Sequence, residues 1–180
     1  MTFLSPATLS GLTPAAFNSL SSGALGSLDS AQMAALTSAQ AAAMGSAQIS
    51  GLSDVQLAAM SPDAIASLGA AALGQLSTAQ LAALTPAQVG KLTALQIDSL
   101  SAAQVADLAP SALANMTALA LGSLSSAQVA NVTALQIDAL SPSQVSAISA
   151  LAIAGLSTTA IGSFSAAQVA ALSVAQLGAL

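Results

Sequence analysis

From Leu4 to Leu180 every eighth residue is apolar, and the register never slips. Leu fills this column except at Met44, Met60, Met116, Val132, Ile148 and Phe164. If that residue is position one, position two is Ser or Thr throughout, apart from Asp29, Gly45, Gly69 and Ala109. Position five is most often Gln, as in Gln32, Gln40, Gln48, Gln56, Gln80 and Gln88. Position six is apolar again, as in Leu9, Phe17, Leu25, Met33, Ile49, Leu57 and Ile65, with Ala41 the small exception. The remaining sites are mostly Ala, Ser or Gly. A well-formed unit reads Leu76-Ser77-Thr78-Ala79-Gln80-Leu81-Ala82-Ala83.

These positions match the start of a helix. Ser or Thr at position two suits an N-cap, whose hydroxyl accepts a hydrogen bond from a backbone N–H of the first turn. Gln three residues later is the reciprocal half of a capping box, and the apolar residues at positions one and six stand at N′ and N4, the hydrophobic-staple pair. The prolines agree: Pro6, Pro14, Pro62, Pro86, Pro110 and Pro142 all fall at position three, the first helical residue, where no N–H is needed. Gly favours the end of the unit, as at Gly26, Gly51, Gly74, Gly122 and Gly162, which suits a chain leaving a helix. The pattern therefore predicts a succession of very short capped helices.

Other folds fit less well. In one continuous helix the apolar column would drift by about 80° per octad, and the recurring Pro would break it. A coiled coil needs a repeat near 3.5 residues. A β-solenoid would make no use of capping boxes, and Ala and Gln outnumber β-branched residues here. A single octad cannot fold alone. Ordering eight residues costs about 12 kcal/mol, whereas burying two large apolar side chains returns about 4–6 kcal/mol. Neighbouring units must share their apolar faces, which is the logic of a solenoid. The expected fold is all-α, one solenoid domain over residues 1–180 built from eight-residue capped mini-helices.

A slower rhythm lies above the octad. Gln at position five gives way to Ala in adjacent pairs: Ala16 and Ala24, Ala64 and Ala72, Ala112 and Ala120, Ala152 and Ala160. The pairs recur after six, six and five octads. Duplication of a six-octad block, trimmed once by an octad, accounts for this. So does a superhelix that closes one turn in five to six octads and stacks these units at one azimuth, where a Gln would lack room. Leu119, Leu135 and Leu151, two octads apart, suggest an alternative of two octads per coil, arranged as helix hairpins.

Composition narrows the function. Hydrophobic residues make up 55% and charged residues 4%, yet no apolar run reaches the ~18 residues of a membrane-spanning helix, so no transmembrane segment is expected. The stretch Met1-Thr2-Phe3-Leu4-Ser5-Pro6 has no basic region and no long apolar core, so a cleavable signal peptide is not expected either. Lys91 is the one base against Asp29, Asp54, Asp63, Asp98, Asp107 and Asp138, which excludes nucleic acid as a partner. The absence of Cys removes disulfides and thiolate sites without indicating a compartment.

Candidate chemistry is sparse. There is no His and no Cys, hence no imidazole base, no thiolate nucleophile and none of the usual zinc ligands. A nucleophilic Ser needs a base, and Lys91 sits at a variable position of an ordinary unit, where a solvated side chain is expected. Asp98 and Asp107 lie in different octads at different phases, unlike a carboxylate pair. Asp29 stands at a cap position, no Asp-rich loop offers calcium its converging oxygens, and no Gly run could cradle phosphate. No residue is assigned a catalytic, cofactor-binding or metal-binding role, no cofactor is expected, and the chain is read as not an enzyme. The Ser/Thr column could present hydroxyls to ice or sugar. Caps, however, direct those hydroxyls to backbone N–H groups and also explain Gln and Pro. Capping likewise explains the Gln column without a ladder between stacked turns.

Units such as Leu84-Thr85-Pro86-Ala87-Gln88-Val89 and Ser165-Ala166-Ala167-Gln168-Val169-Ala170-Ala171-Leu172 resemble octapeptide repeats (Leu-Ser/Thr-x-Ala-Gln-Val/Ile-x-x) of large secreted or surface proteins of proteobacteria, often beside calcium-binding RTX modules. The likeness covers essentially the whole chain. It implies a stalk or spacer of an exported, thiol-free protein, extracellular or at the cell surface. No Gly-Asp-rich RTX repeat occurs in this chain. The expected function is a structural scaffold, stalk or self-assembling filament segment. Its expected partners are other copies joined end to end, or neighbouring repeats of a longer chain. A protein- or ligand-binding solenoid is the alternative and an ice- or surface-binding hydroxyl array the third reading. The apolar end units and the shortage of charge both favour self-association.

Overall fold

The computed structural model describes residues 4–180, so Met1–Phe3, part of the stretch read above for a signal peptide, lie outside it. Twenty-two helices run from α1 (Pro6–Ser10) to α22 (Val174–Leu177), one per octad and each four to six residues long, with no strand among the described residues. The phase is the one the sequence predicts. In α13 (Ala102–Ala106), Ser101 is extended at φ −71° and ψ 160°, and its Oγ accepts from the Gln104 N–H at 3.2 Å. All six prolines occupy the first turn, and Asp29 caps through Oδ1 to the Gln32 N–H at 2.8 Å. Where position two lacks a hydroxyl, at Gly45, Gly69 and Ala109, the N–H of position five turns to the carbonyl of that same residue, at 2.9–3.0 Å. The helix start tightens to an i to i+3 bond, so the missing cap leaves no orphan donor.

Each helix ends after a little over one turn. The N–H of position one bonds the carbonyl of position six, as in Leu12 to Leu9 at 3.1 Å, and positions one and two then run extended into the next cap. No residue has positive φ among those described. Gly does stand where the chain leaves a helix, as at Gly51 and Gly74, but in the right-handed region, and some of these glycines also serve close approach. A Cβ on Gly74 would stand 2.8 Å from the Ser99 carbonyl oxygen, and one on Gly90 would stand 2.7 Å from that of Asn115. Both carbonyls belong to the next coil.

The coil is tighter than the longer rhythm suggested. α5 (Ser38–Ala43) packs on α2 (Pro14–Asn18) and on α8 (Pro62–Ser67), and the same three-helix step recurs along the chain. Side-chain bonds between coils join residues 25 to 31 apart, so one turn takes a little over three octads. This corrects the five to six octads per turn inferred from the Ala pairs. Six octads fall somewhat short of two turns and five make about one and a half. The pairs therefore drift around the axis, and the last lies about half a turn from the third. Stacking at one azimuth does not explain them, and duplication is left. The two-octad hairpin is corrected as well: Leu119, Leu135 and Leu151 are exposed rather than packed together.

Positions one and six form a continuous core. From Leu9 to Ile153 every position-six side chain is buried, and from Leu36 to Leu156 so is every position-one side chain. The accessible surface of 7771 Å² is close to the roughly 7,700 Å² expected of a compact monomer of this mass. With six to seven turns stacked at helix-packing distances of about 8–10 Å, the array is a stout rod roughly 50–70 Å long.

Candidate functional site

The most organised polar feature is the Gln column, where each amide has two sets of partners. In α5, Gln40 Oε1 accepts the Thr37 N–H at 3.0 Å while Thr37 Oγ1 accepts the Gln40 N–H at 3.2 Å, which closes the capping box. Its Nε2 donates downward to the carbonyls of Leu9 at 2.8 Å and Leu12 at 3.0 Å, in the coil beneath. Gln56, Gln88, Gln96, Gln128, Gln136 and Gln168 repeat the arrangement. In Gln48, Gln80, Gln104 and Gln144 the second acceptor is the position-seven carbonyl instead. The position-one carbonyl follows the helix end and has no backbone donor, so the Gln amide satisfies a group the mini-helix leaves open. The expectation that capping alone explains Gln is incomplete; the column is cap and ladder at once. Nearly all these side chains are buried, and no buried side-chain polar atom among the described residues lacks a partner.

The hydroxyl column is committed in the same way. Ser5, Thr13, Ser21 and their successors accept from the N–H three residues on, which turns the oxygen toward the helix instead of outward. Lys91 lies largely exposed and pairs with Asp63 of the coil beneath, at 3.2 Å between Nζ and Oδ1. That ion pair bridges two coils at the surface, where such pairs contribute about 0–1 kcal/mol. Asp98 ends α12 (Ala94–Asp98) and Asp107 follows α13 as its C-cap, and both are exposed. No helix among the described residues is long and apolar enough to cross a membrane.

Large apolar residues at position four have no part in the octad as read from the sequence. Leu95, Leu119, Leu135 and Leu151 are 71–80% exposed where most other units carry a small residue. The signal was present, because Leu is out of place at a solvent-facing site, but locating that face requires the coil pitch.

A family model described as the ALTTAQ repeat matches residues 65–94. The match spans units with and without Gln at position five, from Ile65 through Gln80 and Gln88 to Ala94. No curated protein matches the chain. The chain is thus a repeat protein with an all-helical solenoid fold, and part of it is similar to a known repeat.

Proposed function

We propose that this chain is a structural, non-enzymatic scaffold or stalk segment of an exported protein, and that its copies join end to end. The Gln ladder is the observation that supports this reading. It commits the buried polar side chains of the described residues, all of them Gln, to holding one coil on the next, at a regular pitch, and leaves a stiff rod. At about 0.3–0.4 Å of length per residue, against about 1.5 Å for a plain α-helix, the fold favours thickness and stiffness over reach. A scaffold or stout stalk suits it better than a long tether.

The two end faces of the array support end-to-end joining. In the first coil Leu9, Phe17 and Leu25 are fully buried, while Leu12, Leu20 and Leu28 are only partly covered. In the last coil Leu172 is 8% exposed whereas Val169 and Leu177 are 43% and 48% exposed, with the terminal Leu180 at 45%. Position one thus faces the coil before and position six the coil after, so the end faces are the two halves of the internal interface. Joining them is a head-to-tail contact that need not close, and a net charge of only −5 opposes it weakly. Electron microscopy should show linear assemblies lengthening with concentration, and Val169→Lys with Leu177→Lys should shorten them. Single compact particles at every concentration would rule out the joining; a flexible, extended profile in X-ray scattering would rule out the rod.

A further inference from the structure

With the pitch known, the exposed apolar residues can be placed around the rod. Leu119 follows Leu95 by three octads, just under one turn. Leu151 follows Leu95 by seven octads, just over two turns. Val174 falls one residue short of three octads beyond Leu151, again close to one turn. The four side chains therefore lie on four successive coils within about a quarter of the circumference. They belong to α12 (Ala94–Asp98), α15 (Ala118–Gly122), α19 (Ala150–Ile153) and α22. They are 76%, 76%, 80% and 89% exposed in that order. Packing of α12 on α15 and of α19 on α22 fixes the order of the coils. The Ser123 hydroxyl, donating to the Ala94 carbonyl at 3.2 Å, fixes their register.

The charges avoid this side. Asp54 follows Asp29 by about one turn, Asp107 follows Asp54 by about two, and Asp138 comes a little more than one turn later. Asp107 in turn follows Leu95 by one and a half octads, close to half a turn, so the acidic line runs opposite the stripe. Two other exposed apolar residues, Val55 and Leu135, lie on that acidic side, beside Asp54 and near Asp138. The Lys91–Asp63 pair neutralises itself at the lower end of the stripe, and Asp98, at its edge, is the one other charge nearby. The rod is thus divided along its axis, with four carboxylates on one side and a nearly uncharged apolar stripe on the other.

We propose that the stripe of Leu95, Leu119, Leu151 and Val174 is a lateral interface that seats a second copy of this chain. A charged partner has almost nothing to pair with there. A second copy meets an identical neutral surface, and two-fold pairing turns both acidic lines outward, where their repulsion is least. The stripe is about 24–30 Å long at the usual spacing between packed helices, comparable to the side of the ~800 Å² that each partner contributes to a stable interface. This contact closes at two copies, unlike end-to-end growth, and does not depend on it.

Sedimentation of the full chain over a range of concentrations tests the proposal. A reversible pairing step is expected, weakened about tenfold or more by Leu119→Lys with Leu151→Lys, as for central interface residues. Leu135→Lys, on the acidic side, should leave pairing unchanged. Circular dichroism should show the same helix content in all variants, since each site is on the surface. A chain that never pairs, or one whose pairing falls equally with Leu135→Lys, would overturn the proposal. So would association that only the end-face variants reduce. A monomer that co-sediments with phosphatidylcholine vesicles would reassign the stripe to lipid.

Discussion

The octads of α13 and α15 have nearly the same local structure but bind the coil beneath them differently. Under α13, Gln104 holds the Ser101 N–H at 2.6 Å and reaches the carbonyls of Leu76 and Gly74 at 2.6 and 3.2 Å. Under α15, Ala120 replaces the Gln, and neither the Thr117 N–H nor the Leu92 carbonyl forms a hydrogen bond among the described residues. A hydroxyl tie remains at position eight, where Ser123 Oγ donates to the Ala94 carbonyl, as Ser99 of the Gln96 octad also does toward Ala70 at 2.9 Å. Ser163 does the same toward Ala134 at 3.5 Å in the octad of Ala160. Ala120 is fully buried, and a Cβ on Gly122 would stand 3.0 Å from the Ala147 carbonyl oxygen of the coil above. The α13 octad spaces its coil with a buried amide, the α15 octad with small side chains in close contact. A repeat can therefore keep its helix and its core while changing the bond that stacks it.

The sharpest way to break the contrast is Gln104→Glu, which keeps the size but places carboxylate oxygens against two carbonyls. A buried charge left without a partner should cost about 3–5 kcal/mol at neutral pH. Its folded-state pKa should be raised above the unfolded value of about 4.3. The variant should thus regain stability below that value and lose it as pH rises, which urea denaturation at several pH values would measure. Equal stability at all pH values would mean that the amide nitrogen does not face the carbonyls.

Exchanging the two solutions should have smaller effects. Gln104→Ala leaves a cap N–H and the carbonyls of Leu76 and Gly74 unpaired and should cost about 1–3 kcal/mol. Ala120→Gln offers the missing bonds but must enter a closed gap, so overpacking of about 1–3 kcal/mol should dominate. A gain in stability from the second change would show that the gap beneath α15 has room for an amide. The cap comes next. Ser101→Ala should cost about 1 kcal/mol and speed amide exchange in α13 ahead of its neighbours. The smallest effect belongs to Ala102→Pro at the first helical residue, whose N–H bonds nothing, and no measurable shift in the unfolding midpoint is expected.

What could be read in advance follows the range of each interaction. Ser101, Gln104 and Pro110 announce helix starts because caps and first-turn prolines act within three or four residues. The Leu100 and Val105 columns announce the core because burial selects residue type directly. The outer partner of each Gln was not legible, since an acceptor in the coil beneath leaves no mark on the octad that reaches for it. The stripe was hidden for the same reason: Leu119, Leu135 and Leu151 look like a two-octad period along the chain, yet only Leu119 and Leu151 share a side of the rod.

The sequence by itself determined the unit: its length, helix phase, caps and two core positions, all set by local geometry and by apolar burial. The tertiary structure alone decided how many units make a turn. That number depends on the rotation from one mini-helix to the next, a sum of small backbone angles at positions one and two and of the space left by residues such as Gly74 and Gly90. An error of a few degrees at each step accumulates around the coil, so the pitch is settled where coils meet, by Gln amides finding carbonyls and by small residues allowing close approach.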